Sequence, residues 1–211
     1  MKFIFVHGMG HTAASWEETI SYMKNKQDIV CPDLSAILNG KEASYPNLCS
    51  AFAEYCNQFE EQIHLCGLSL GGVLALDYSL KFPEKVKSLV LIGTPHKIPK
   101  FMLSVQNVIF RFFPKSMFDG MVFDKNATSV LTNSMRELDF TDKVKMVQCP
   151  TLVLCGEKDS ANKKSAYYLA ENIPHAELKV IKNTGHIVNE ENPKGLAEIL
   201  DSWRLFLTFP F

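Results

Sequence analysis

Residues 63–76 read IHLCGLSLGGVLAL. An apolar run of strand character meets Gly67-Leu68-Ser69-Leu70-Gly71, and Leu, Val and Ala continue beyond it with helical character. A G-x-S-x-G at the joint between a strand and a helix puts its middle residue on a sharp turn, because small neighbours admit the close backbone approach such a turn needs. Ser69 is then held up, exposed, at the carboxyl edge of a sheet. The helix after it presents its positive end there, and the Leu70 N–H can be aimed at a developing oxyanion. The same five residues also describe a tight turn with an incidental serine, so the meaning of the stretch rests on what surrounds it.

Outward from this point, short β-rich runs recur at residues 3–6, 28–31, 62–66, 87–92, 151–155 and 177–181. They are continuously apolar rather than alternating, as strands buried on both faces are. Helical patterns fill most of the intervals, at 13–24, 47–59, 70–82, 162–171 and 193 to about 207. The expectation is an α/β fold: a parallel sheet of about six strands with helices on both faces. With 211 residues and 46% hydrophobic content, the chain suits a single domain spanning 1–211. One interval breaks the rhythm. From Pro95 to about Lys145 no strand pattern occurs and Phe and Met are frequent, as in FMLSVQNVIFRFFPKSMFDGMVF. About fifty residues are too many for a structureless loop in a compact domain, so 96–145 is read as a small helical cap inserted over the sheet.

Charge and cysteine usage narrow the classes of partner. Lys and Arg number 22 against 23 Asp and Glu, a net charge of −1 that favours neither nucleic acid nor an anionic membrane. A small molecule is the expected partner. Six cysteines, at 31, 49, 56, 66, 149 and 155, contain no CxxC pair and read as buried reduced thiols, not as a disulfide framework or zinc site. The apolar run before His7 is only four residues, Phe3 to Val6, too few for a signal segment, and WRLFLTFPF near the other end is too short to span a bilayer. A cytoplasmic protein is expected. The apolar FLTFPF either packs on its own core or meets a second copy in a homodimer.

A serine nucleophile needs a base, and the base needs an orienting acid. TLVLCGEKD places Asp159 just after the fifth run, and LKVIKNTGH places His186 just after the sixth. All three residues therefore follow strands of one parallel sheet, whose carboxyl ends share an edge. That order of Ser, Asp and His, with HGMGH at 7–11, Trp16, GLSLGG at 67–72, LVLIGTP at 89–95, PTLVLCGEKD at 150–159 and NTGHIVNEENP at 183–193, resembles the α/β-hydrolase superfamily over nearly the whole chain. The resemblance implies Ser69 as nucleophile, His186 as general base and then acid, and Asp159 as the group that orients the imidazole. It implies an oxyanion hole made by the backbone N–H groups of Met9 and Leu70. It also implies a strand order 2-1-3-4-5-6 without the family's usual first hairpin, and a ligand crevice between strands one and three, where the order reverses. One departure stands out: PDLSAILNGKEASYP at 32–46 keeps only Asp33 of the D-x-R-G-x-G-x-S turn that many members carry.

Other residues compete for these roles. His96 follows a strand and is the main rival base, read as lining the pocket or starting the insertion. His7 and His11 are read as shaping the oxyanion turn, His64 as lying within a strand and His175 in a loop. Among acids, Asp142 precedes the fifth strand and falls at the wrong edge, Asp33 can approach the site, and Glu157 points elsewhere if its loop is tight. Asp119 and Asp124 belong to the insertion and are read as solvated. Glu190 and Glu191 suit the start of the last helix.

The expected function is hydrolysis of an ester or thioester through an acyl-enzyme, with no cofactor and no metal, and the Phe- and Met-rich insertion points to a small apolar acyl group. Two alternatives remain. One is triad-dependent carbon–carbon hydrolysis or elimination on a carboxylated substrate, for which Arg111 and Arg136 are candidate anchors. The other is a non-catalytic small-molecule binder.

Overall fold

The computed structural model describes residues 1–98 and 122–208. Strands β1 (Phe3–Val6), β2 (Ile29–Val30), β3 (Ile63–Leu68), β4 (Val86–Ile92), β5 (Thr151–Gly156) and β6 (Ala176–Ile181) form one sheet in the order β2-β1-β3-β4-β5-β6. Every pairing is parallel. The six strands and their order agree with expectation, and so does the reversal between β1 and β3.

Because side chains alternate across a strand, the continuous apolar runs feed two cores at once. Leu89 and Leu91 of β4 join one cluster, and Val90 and Ile92 join the other. The first cluster is covered by α2 (Leu34–Leu38), α3 (Tyr45–Asn57), α4 (Leu70–Lys81), α5 (Lys125–Ser134) and α6 (Lys163–Asn172). The second is covered by a 3-10 turn at Ala13–Trp16, by Met23 just beyond α1 (Glu17–Tyr22), and by α8 (Pro193–Thr208), which supplies Leu196, Ala197, Leu200 and Trp203. A short α7 (Val188–Glu191) precedes α8. Residues such as Leu74, Leu89 and Leu154 are fully buried, and each such side chain contributes roughly 1.5–3 kcal/mol relative to exposure.

The structure refines several expectations. The helix expected over 13–24 divides into the 3-10 turn and α1, and ends where Met23 turns extended. The segment after Asp33, read as an altered loop, contains α2. The Asp33 carboxylate caps it by accepting from the Ser35 and Ala36 amides, and Asn39, left-handed at φ 50°, ends it. Within the insertion, Asp124 is not simply solvated: it accepts from the Ala127 N–H at 2.7 Å and starts α5. A single antiparallel bridge between Lys97 and Asp139 joins the two described ends of the insertion. Its middle, including Arg111 and Asp119, lies outside the described residues, as does the end of FLTFPF. All six cysteines are free thiols, and burial pushes Cys31 up to about 12. Among the described residues no helix is long and apolar enough to cross a membrane.

Candidate active site

Ser69 joins β3 to α4 with φ 54° and ψ −113°. A non-glycine residue held there costs on the order of 1–3 kcal/mol and persists only when its surroundings impose it. Here they do. The Ser69 N–H donates to the Ile92 carbonyl of β4 at 2.8 Å, and the Val73 N–H donates back to the Ser69 carbonyl at 3.0 Å. A Cβ on Gly71 would run into the Val6 carbonyl of β1, so only glycine lets the helix start this close to the sheet. The Ser69 side chain makes no capping bond to α4, and among the described residues its hydroxyl bonds to no other group at the carboxyl edge.

Beside it, the turn after β1 is fixed by His7, which is fully buried. His7 Nδ1 lies 2.8 Å from the Gly8 carbonyl, and Nε2 accepts from the Leu34 N–H at 3.1 Å, so Nδ1 carries the proton. Burial, ahead of the opposing Gly8 bond and the Asp33 charge, holds the imidazole below its ordinary pKa and keeps it neutral. A Cβ built on Gly8 would lie 3.6 Å from Ser69 Cβ and 3.3 Å from His11 Nδ1, so this turn sits directly against the elbow. Among the described residues no hydrogen bond occupies the amide of Met9 or that of Leu70, the first residue of α4, whose N–H has no partner within the helix. The Thr132 hydroxyl of α5 reaches Met9 Sδ at 3.7 Å, which ties the return of the insertion to the same turn.

Farther along the same sheet edge, His186 Nδ1 donates to Asp159 Oδ2 at 2.7 Å. The Asp159 side chain is 3% exposed and that of His186 is 38% exposed, so the acid is enclosed while the imidazole still reaches the opening. Burial opposes the Asp159 charge, but the His186 bond and the Asn162 donors outweigh it and hold the carboxyl below the usual range. Gly93, the residue after β4, has φ 53°, and a Cβ there would approach His186 Nδ1 to 2.9 Å and Asp159 Oδ2 to 3.2 Å. Thus the residue following the Ser69 partner Ile92 forms the floor under the acid and base. Among the described residues no hydrogen bond joins Ser69 to His186.

The rivals fall elsewhere. His96 is buried, bonded through Nδ1 to Ser165 Oγ at 3.0 Å and stacked on Tyr168 at 4.2 Å, where it joins the end of β4 to α6. Asp33 is used in capping α2. Glu157 turns away to accept from the Asn183 N–H at 2.9 Å, and Arg136 is exposed just after α5. The helix-start reading misplaces Glu191. Its carboxylate accepts from the Gly185 N–H at 2.6 Å and the Ile187 N–H at 3.1 Å, the two amides that flank His186. Glu190 instead faces His11 Nε2 at 3.6 Å. Sequence reasoning also passed over Asn162, which lies against both Asp159 and His186. The signal available was a polar residue three positions after the acid. Among the described residues no cluster of three or more His, Cys, Asp or Glu has the arrangement of a metal site.

Chemically, the arrangement offers a hydroxyl on a strained turn, two amides beside it, and an imidazole polarised by an enclosed carboxylate. Comparison with known proteins agrees with the fold. A protein of Bacillus subtilis named an uncharacterized carboxylesterase, nap, is 26% identical over 92% of this chain and 76% of its own length. A putative 2-succinyl-6-hydroxy-2,4-cyclohexadiene-1-carboxylate synthase of the same organism is 22% identical over 95% of this chain and 89% of its own length. The solved structure of a thermophilic esterase from Thermogutta terrifontis superposes with a TM-score of 0.80 at 21% identity, covering 99% of this chain and 91% of that one. The model of the alpha/beta hydrolase family matches residues 3–199, nearly the whole of the sheet and its helices, and the chain belongs to that family.

Proposed function

We propose that the chain is a serine hydrolase acting on an ester or thioester of a small apolar acyl group, with Ser69, His186 and Asp159 as its triad. The observation that carries this reading is the 2.7 Å His186–Asp159 pair on the same sheet edge as the positive-φ Ser69. His186 Nε2 takes the Ser69 proton as Oγ adds to the carbonyl carbon, and the oxyanion forms against the Met9 and Leu70 amides. Collapse expels the alcohol or thiol, which leaves with the proton from His186, and an acyl-serine remains. Water then adds to the acyl carbon, giving its proton to His186. The carboxylic acid departs as that proton returns to Ser69 Oγ. The insertion at 96–145 is the proposed cap over this edge, and its apolar composition suits acyl recognition.

The test is the hydrolysis of p-nitrophenyl esters of graded acyl length by the parent and by Ser69→Ala. Turnover of at least one ester, with a loss of about a thousandfold or more in the variant, is expected. Equal rates for the two proteins would exclude Ser69 as nucleophile. The likeness to the named synthase supports one second reading, in which the same imidazole acts as a base in an elimination. Activity on a carboxylated enol-type substrate, with none on the ester series, distinguishes it.

A further inference from the structure

Asn162 stands at the N-cap of α6 yet makes no side-chain capping bond to that helix. Its backbone is αR, at φ −106° and ψ −7°, not the extended conformation of a capping residue, and the Lys163 N–H donates to the Asp159 carbonyl. The side chain turns back toward Asp159. Its Nδ2 lies 3.1 Å from Asp159 Oδ1 and 3.1 Å from Oδ2, and its backbone N–H donates to Oδ1 at 3.2 Å. An ionised carboxylate only accepts, so the network assigns the amide NH₂, not its oxygen, to this contact. Asn162 Nδ2 is also 3.2 Å from His186 Nδ1. Since Nδ1 is itself donating to Asp159, these two nitrogens are not bonded to each other. They converge as donors on one carboxylate.

We propose that Asn162 is a positioning residue whose amide bridges both oxygens of Asp159 and holds that carboxylate in the orientation that meets His186 Nδ1. The inference rests on the reading of Ser69, Asp159 and His186 as a triad. A carboxylate held only by one imidazole and one backbone N–H keeps freedom about its terminal torsion, which is broad. The bridging amide removes that freedom, and with it the alternative in which Nδ1 loses its proton and Nε2 carries one. Only the first tautomer leaves Nε2 free to accept from Ser69. The contact of one amide with both oxygens of the enclosed Asp159 carboxylate is the observation that carries this role.

Two variants and two readouts decide it. Asn162→Leu keeps the volume and removes the amide. Asn162→Ser keeps a small polar side chain but is too short to bridge both oxygens. For both, kcat on the p-nitrophenyl ester that the parent hydrolyses fastest is expected to fall roughly tenfold to a hundredfold, the scale on which outer hydrogen bonds to a functional imidazole's surroundings act. KM should stay within about twofold, as for a group acting on the chemical step. In spectra of ¹⁵N-histidine-labelled protein, His186 should change from a single tautomer protonated at Nδ1 to a mixture in both variants. A parent-like Asn162→Ser, in rate and in tautomer, overturns the proposal, because the backbone N–H of residue 162 would then suffice to hold Asp159. A raised KM with kcat retained overturns it in favour of substrate contact. Should Ser69→Ala prove as active as the parent, the triad reading fails on its own evidence, while the tautomer comparison still judges the Asn162 bridge.

Discussion

At the scale of single residues, Gly93 and Gly40 separate two costs that are usually mixed. Both have left-handed backbone, at φ 53° and 76°, so alanine at either position strains the chain by about 1–2 kcal/mol. Their surroundings differ. A Cβ at Gly40 meets nothing within 4 Å, whereas one at Gly93 would press on His186 Nδ1 at 2.9 Å and on Asp159 Oδ2 at 3.2 Å. Gly93→Ala should therefore lower the melting temperature more than Gly40→Ala and, unlike it, lose more than about tenfold in kcat/KM, since misplacing reacting groups by a fraction of an ångström is costly. Ester turnover and thermal unfolding of the two variants side by side provide the check. Equal activities would mean that the acid and base shift aside without consequence.

At the scale of elements, β3 carries a titrating group at the end opposite Ser69. His64 stacks on Phe3 of β1 at 4.0 Å and 4°, and its Nδ1 lies 2.8 Å from Ser88 Oγ of β4. Burial, then repulsion from Arg204, the N-terminal ammonium and Lys87, lowers its pKa to about 4. In the unfolded chain the ordinary value is about 6.5. Between those values the unfolded state binds the extra proton, so stability rises with pH. The contribution is complete above about pH 6.5 and is lost as pH falls through about 4. Allowing for solvent screening near the sheet edge, it amounts to about 2–3 kcal/mol. His64→Gln should flatten the decline in urea-unfolding free energy between pH 7 and 4.5 by roughly that amount, and an unchanged slope would refute the assignment. The inner strands β3 and β5 were legible because their apolar runs are continuous, whereas the edge strand β6, AELKVI, is interrupted by Glu177 and Lys179 and only partly buried. Ser69, Asp159 and His186 were legible because each follows a strand. The five residues of α2 were hidden among Asn, Gly and Lys, where the cap depends on the side-chain direction of Asp33. Glu191 and Asn162 were not legible as site residues because composition suits each equally to a helix start. Only the folded chain shows that one turns to the amides around His186 and the other to Asp159.

At the scale of the whole molecule, the reversal of strand order between β1 and β3 brings the His7–Met9 turn beside Ser69, while β5 and β6 carry Asp159 and His186 in from the other side. The site is thus assembled from both halves of the chain, and its geometry depends on one sheet being held between two helical layers. If those layers belong to a single domain, they should fail together although their side chains occupy separate clusters. Leu48 of α3 is fully buried in one cluster, and Leu200 of α8 is 3% exposed in the other. Each Leu→Ala change should cost about 2–5 kcal/mol, through lost burial and the cavity left behind. Because the sheet separates the two positions and they share no contact cluster, the double variant should cost the sum to within about 0.5 kcal/mol. Unfolding should remain one transition by both fluorescence and far-ultraviolet circular dichroism. Trp16 and Trp203 lie in the second cluster, so their fluorescence reports the α8 layer, while circular dichroism reports both. Transitions that separate in Leu200→Ala would show that α8 and its face can detach from the rest. In that case the sheet edge bearing His186 would be held by the other layer alone.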